Sequence, residues 1–169
     1  GYCATCDGMF FRNMTVGVVG GGNTAAGDAL YLSRICQKVY LIHRRDTLRA
    51  TKLYQSQLEN TPNVELRYNA TVKTLLGEDR ISGVELQDVN TKETAALPLD
   101  GLFISVGQNP ATELFRGQVD LDANGYIVAD ETTCTSIPGV FAVGDVGTKA
   151  LRQVITAASD GAVATHFAE

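Results

Sequence analysis

Two cysteines separated by two residues, Cys3-Ala4-Thr5-Cys6, are followed directly by Asp7. Thiols at this spacing can close a small-loop disulfide that accepts and passes on two electrons. A carboxylate next to them can give or take the proton that such chemistry requires. A zinc site would need four ligands, usually two such pairs. The other donors, Cys36, Cys134, His43 and His166, are scattered, so no metal site is expected. Cys36 and Cys134 stand among apolar residues and read as structural.

A second chemical signature is Gly20-Gly21-Gly22-Asn23-Thr24-Ala25, which fits G-x-G-x-x-G/A. Gly20 permits a tight turn, Gly22 lets the backbone approach a pyrophosphate, and Ala25 keeps a helix close to a strand. A helix opening here would offer free N–H groups and partial positive charge to phosphates. An NAD site usually places an acid about 20 residues beyond the first glycine. Here that region reads His43-Arg44-Arg45, with Arg49 about one helical turn later. Guanidinium groups bind a 2′-phosphate bidentately, whereas a carboxylate would repel it. The expected dinucleotide is therefore NADPH. Because nicotinamide does not normally deliver hydride straight to a disulfide, a flavin is expected between them.

These residues need a frame that holds them. Thr15–Gly20 is a short β-branched run ending at glycine, the pattern of a strand buried on both faces. The spacing predicts a helix from Asn23 to Cys36 and a second buried strand over Lys38–His43. Together they form a βαβ unit, the context that gives the glycine motif its meaning. Helical signals return from Asp46, a plausible N-cap, to Asn60, where Thr61-Pro62 ends them. Val64–Tyr68 reads as a strand. Three more, Ala70–Leu76, Ile81–Val89 and Thr94–Leu99, read as an inserted antiparallel meander. Asp100–Gly107 is a further strand, closing a nucleotide-binding domain over residues 1–107.

Beyond Pro110 the chain is turn-rich, with Asp122–Gly125 a candidate hairpin turn. Val140–Asp145 reads as a buried strand ending in Gly-Asp. Leu151–Phe167 reads as a helix with Leu151, Val154, Ile155, Ala158, Ala162 and Phe167 near one stripe. The fold class expected is α/β, a Rossmann-like βαβ domain carrying an antiparallel meander, followed by a strand–helix tail over residues 108–169.

Composition narrows the function classes. Of 169 residues, 44% are hydrophobic and 20% charged, which argues against disorder. A net charge of −5 argues against a general affinity for nucleic acid. No apolar run approaches the ~18 residues of a membrane span.

The motifs Cys3-Ala-Thr-Cys6-Asp7, Gly20–Ala25, His43-Arg-Arg-Asp-x-x-Arg49, Val140-Phe-Ala-Val-Gly-Asp145 and Arg152-Gln153 stand in the order and spacing of low-molecular-weight thioredoxin reductases. The chain resembles that family over essentially its whole length. The resemblance implies a flavoprotein, homodimeric when complete, that passes electrons from NADPH to FAD, to the Cys3–Cys6 disulfide, to thioredoxin. It implies Cys6 facing the flavin, Cys3 attacking thioredoxin, and Asp7 as proton donor. Asn23 and Thr24 would lie along the pyrophosphate, with His43, Arg44, Arg45 and Arg49 around the 2′-phosphate. Val106 and Gly107 would lie near the nicotinamide. Gly144, Asp145, Arg152, Gln153 and Val154 would contact FAD.

Such reductases carry more than a hundred residues and a second GxGxxG ahead of this start, and neither occurs here. The expectation is a fragment without turnover, lacking the N-terminal FAD-binding part and cut just before the cysteine pair, with residues 108–169 the C-terminal part of that split, incomplete FAD-binding domain. Related flavoproteins, such as the flavoprotein subunit of an alkyl hydroperoxide reductase, share these motifs. A stand-alone nucleotide-binding module is the reading from a different class. The reducing chemistry and the lack of a leader point to the cytoplasm.

Overall fold

A computed structural model describes residues 1–168. The chain divides into two compact units, Gly1–Gly107 and a second beginning at Gln108.

Unit 1 is built on four parallel strands: β1 (Thr15–Val19), β2 (Lys38–Ile42), β3 (Val64–Arg67) and β7 (Gly101–Ile104). Their order is β3-β2-β1-β7, with Val16 opposite both Val39 and Gly101. Alternation along the strands sends side chains to two separate cores. Val16, Val18, Val39 and Leu41 face one side, packed with Ala25, Ala26, Ala29 and Leu32 of helix α2 (Asn23–Ser33). The run of alanines lets α2 lie close on the sheet. Ile42 and the half-buried Val19 and Tyr40 face the other side. There they meet Val84 and Leu97 of an antiparallel sheet of β4 (Ala70–Leu76), β5 (Gly83–Asp88) and β6 (Thr94–Pro98). The inserted meander is thus the cover for the second face of the parallel sheet. Phe103 of β7 is buried and meets Phe11 edge-on at 5.4 Å.

Two helices of unit 1 are shorter than the sequence implies. Helix α2 stops at Ser33 rather than Cys36. The Asn63 amide donates to the carbonyls of Ser33 (2.8 Å) and Cys36 (3.2 Å), satisfying the chain as it turns out of the helix. Helix α3 covers only Lys52–Glu59, with Thr51 and not Asp46 at its N-cap. Residues 46–51 are instead extended and turning, because the N–H groups of Arg49, Ala50 and Thr51 are taken by the Gly21 carbonyl and the Asn23 side chain, as described below.

Unit 2 has one small core of Val119, Ile127 and Ala142. The turn at Asp122–Gly125 forms as expected: the Asp122 carboxylate accepts from the N–H groups of Asn124 and Tyr126. Val140–Asp145 is not a buried strand. It makes a single bridge, Phe141 to Cys134, and Val140 and Val143 are exposed. An apolar run becomes a strand only where neighbours take its backbone hydrogen bonds, and among the described residues this one has a single short partner. Cys134 is exposed rather than structural, whereas Cys36 is buried. Helix α4 covers Val154–Phe167, and none of its residues is fully buried. Among the described residues no helix is long and apolar enough to cross a membrane.

Candidate functional site

Strand β1 runs into the glycine turn. A Cβ on Gly20 would lie 2.6 Å from the Ala25 Cβ and closer still to the Ser105 carbonyl oxygen, so only glycine fits. A Cβ on Gly21 would overlap the His43 ring. Gly22 caps α2 in an extended conformation, and the space over it is open. Asn23 and Thr24, in the first turn of α2, are exposed. The first helical N–H groups, which have no partner within a helix, point out of this end.

His43 directly follows strand β2 and is only 6% exposed. Its ring is hydrogen-bonded to the backbone of Thr47, while Nε2 is buried with no partner among the described residues. Burial, and secondarily the nearby Arg49, Arg45 and Arg44, hold its pKa below the ordinary histidine value against the opposing effect of the Thr47 bond. The neutral ring is thereby favoured. Arg44, Arg45 and Arg49 are exposed. Their loop is fastened to the glycine turn: the Gly21 carbonyl accepts from the N–H groups of Arg49 (2.7 Å) and Ala50 (3.0 Å), and the Asn23 Oδ1 accepts from Thr51 N–H (2.8 Å).

A cleft of about 980 Å³ opens beside this arrangement. Gly20, Gly21, His43, Arg44, Arg49 and Val106 line it, together with residues of the meander. The glycine turn, two of the three arginines and the end of β7 therefore share one cavity, while Arg45 lies outside its lining. Gly107 follows Val106 with φ +102°, a conformation suited to glycine.

Sequence reasoning missed a brace under this cleft. Ser105 Oγ donates to Asp28 Oδ2 at 2.6 Å, joining the end of β7 to α2. Burial raises the Asp28 pKa, and the Ser105 bond partly offsets that. An acid on the sheet-facing side of an alanine-rich helix was the available signal.

Cys3 and Cys6 are joined in a disulfide. The segment is a short helical turn, α1 (Ala4–Asp7), capped by Cys3, whose sulfur accepts from the Cys6 N–H at 3.1 Å. Ala4 and Gly8 are buried, with Gly8 pressed against Leu32 and Tyr31 of α2. The turn is thus anchored on one side, leaving Cys6 exposed and Cys3 and Asp7 half-buried. Ahead of it, the Gly1 carbonyl accepts from Ile104 N–H at 2.9 Å, tying the segment to β7.

In unit 2, Gly144 and Asp145 lie on a 3₁₀ turn (Gly144–Val146) next to the start of α4. The Asp160 carboxylate accepts from Gly144 N–H at 2.9 Å and pairs with Lys149. Arg152 lies over the Tyr126 ring at 3.9 Å and donates to the carbonyls of Asp145 and Gly147. Gln153 closes a capping box with Thr156, and Val154 is 88% exposed. These residues come together, but with the Arg152 and Gln153 side chains engaged inside the unit. No group of three or more metal-ligating side chains occurs among the described residues.

Unit 1 thus joins a parallel sheet that carries a glycine turn to a disulfide-bonded cysteine pair packed on the same helix. The chain belongs to the pyridine nucleotide-disulphide oxidoreductase family, whose signature it matches over residues 1–161. It is similar to the thioredoxin reductases of Streptomyces clavuligerus and Treponema pallidum, at 48% identity to each across 99% of this chain. It spans 52% and 54% of those two proteins, about half their length. Among solved structures, the thioredoxin reductase of Streptococcus pyogenes matches with a TM-score of 0.92 at 42% identity, covering 98% of this chain and 54% of that one. The thioredoxin reductase of Giardia duodenalis matches with a TM-score of 0.86 at 33% identity, covering 99% of this chain and 55% of that one.

Proposed function

We propose that unit 1 binds NADPH and presents a redox-active dithiol, as the nucleotide and disulfide part of a thioredoxin reductase. The observation that carries this reading is the shared cleft. The glycine turn that would receive the pyrophosphate, and Arg44 and Arg49 that would receive the 2′-phosphate, line the same cavity. His43 lines the same cavity and packs under the glycine turn, against Gly21. When bound, NADPH supplies hydride.

The chain's own residues then have defined tasks. Gly20, Gly21 and Gly22 bring backbone to the phosphates, with Thr24 beside them, while the Asn23 side chain is engaged with Thr51 of the following loop. Arg44, Arg45 and Arg49 hold the charge that separates NADPH from NADH. Val106 and Gly107 form the rim that would meet the nicotinamide. Two electrons and two protons convert the Cys3–Cys6 disulfide to two thiols, and Asp7, next in sequence to Cys6, would exchange one proton. In the exchange with thioredoxin, the Cys3 thiolate attacks one sulfur of the partner disulfide and releases the other as a thiolate; Cys6 then attacks Cys3, re-forming the Cys3–Cys6 disulfide and releasing the second thioredoxin thiol. The Cys6 N–H, already bonded to Cys3 Sγ, would favour the Cys3 thiolate.

The assignment of Gly144, Asp145, Arg152, Gln153 and Val154 to FAD rests on the family resemblance. With the Arg152 and Gln153 side chains turned inward, unit 2 alone does not form a flavin cradle, and no step is derived through FAD. Homodimerisation and a cytoplasmic location belong to the same proposal for the whole protein. The test is fluorescence titration of the 169-residue chain with NADPH and NADH, beside a flavin absorbance scan. Saturable binding with NADPH strongly preferred is expected. Equal affinity for the two nucleotides would overturn the assignment of the arginines. Stoichiometric bound flavin would overturn the reading of unit 2.

A further inference from the structure

We propose that Asn23 is a specificity-determining residue, which secures preference for the 2′-phosphate by fastening the arginine loop rather than by touching the pyrophosphate. The inference rests on the NADPH reading above and deepens it.

The loop from Arg44 to Thr51 carries all three candidate phosphate-binding arginines, and all three are exposed, long and flexible. Their usefulness depends on how well the backbone beneath them is held, because every rotamer and backbone angle left free must be ordered when the ligand binds. The near end of the loop continues β2 and is held there: the His43 carbonyl accepts from Ala70 N–H and the Arg45 carbonyl from Asn69 N–H. The far end has no strand to hold it. It is held by the bonds of Arg49 and Ala50 N–H to the Gly21 carbonyl, of Thr51 N–H to the Asn23 side chain, and of the Gln55 amide to the Leu48 and Ala50 carbonyls.

The Asn23 bond falls two residues past Arg49, on the N-cap of α3. It therefore fixes both the exit of the loop and the start of the next helix. Of the bonds that tie the loop to the glycine-turn segment it is the one made by a side chain, whereas the Gln55 amide ties the loop only to its own following helix. The Asn23 oxygen is committed to Thr51 at 2.8 Å, at good hydrogen-bonding length.

A contact to the pyrophosphate and a fastening of the loop have different signatures. NADPH and NADH share the pyrophosphate and differ at the 2′-phosphate. Loss of a pyrophosphate contact would weaken both equally. Loss of the fastening would weaken NADPH and spare NADH.

The experiment measures dissociation constants for both nucleotides on the 169-residue chain and three variants, each checked for fold by circular dichroism. For Asn23→Ala the expected result is a roughly threefold to tenfold loss of NADPH affinity, the scale of one net hydrogen bond. NADH affinity should be unchanged within about twofold. Thr51→Pro removes the donor from the other end of the bond, at a residue whose φ of −60° suits a proline ring. It should lower the NADPH preference in the same way. Asn23→Asp keeps an acceptor oxygen and should retain the preference, with both nucleotides weakened together by the added charge. Parallel loss of both nucleotides in Asn23→Ala, or an unchanged preference in both Asn23→Ala and Thr51→Pro, would overturn the inference while leaving the nucleotide assignment standing. A wild-type chain with no preference for NADPH would overturn both together.

Discussion

The contact between Gly21 and His43 can be tested as a coupled pair. Gly21 needs no unusual backbone angle, so Gly21→Ala probes sterics alone. The added Cβ would sit 2.6 Å from His43 Nε2 and nearer still to Cε1 and Nδ1. Ordinary carbon contacts lie at about 3.5–4.0 Å, so the ring must retreat by roughly 1 Å or more. It is buried and tied to the Thr47 backbone, so retreat is costly. Overpacking of this kind costs about 1–3 kcal/mol. With a urea m-value near 2 kcal/mol/M, the midpoint should fall by about 0.5–1.5 M. In a His43→Ala background the ring is gone and the added methyl has room. There Gly21→Ala should cost little, leaving a coupling of about 1–3 kcal/mol between the two sites. Because the chain has two units, the readout should belong to unit 1, such as urea-dependent hydrogen exchange at the Val16, Val18, Val39 and Leu41 amides. Equal destabilisation by Gly21→Ala in both backgrounds would refute the steric argument.

The lowered His43 pKa predicts acid sensitivity. A base whose folded pKa lies below its unfolded value of 6.5 contributes fully above 6.5 and loses that contribution as pH falls through the folded value. Unit 1 of the unaltered chain should therefore lose more stability between pH 7.5 and pH 5 than His43→Ala does, as read by urea midpoints. Asp28 predicts the opposite trend, since its folded pKa is raised above 3.8 and its favourable contribution disappears as pH rises through the folded value. Asp28→Asn keeps an acceptor for Ser105 and should be more stable than the unaltered chain at pH 7, with the gap closing toward pH 4. Cys3→Ser and Cys6→Ser should abolish disulfide exchange with a thiol reagent. Because neither cysteine lines the cleft, both should leave NADPH affinity within about twofold in a fluorescence titration.

Much of unit 1 was legible because each of its parts is specified locally. The runs Thr15–Val19 and Lys38–Ile42 are apolar and β-branched, and glycines mark where the first one stops. The start of α3 was not legible. Asp46 is a sound capping residue in isolation, but the N–H groups of Arg49, Ala50 and Thr51 are taken by Gly21 and Asn23, more than 20 residues away in sequence. Local propensity yields to such bonds. Val140–Val143 failed for the converse reason, because its apolar character implied neighbours that unit 2 does not supply. Among the candidate site residues, the basic character of His43-Arg44-Arg45 was plain, but not the burial of the first and exposure of the other two. Strand alternation directs His43 inward, and only the position of Gly21 shows how tightly it is received.

The double acceptance at the Gly21 carbonyl also constrains redesign. Exchanging the basic loop for an acidic one, to turn preference toward NADH, is a natural engineering step. A donor loop with proline at position 49 or 50 would lack an N–H that the glycine turn uses, and would detach the loop whatever charges it brought. Grafts should therefore be chosen first for unsubstituted amides at those two positions, and only then for charge.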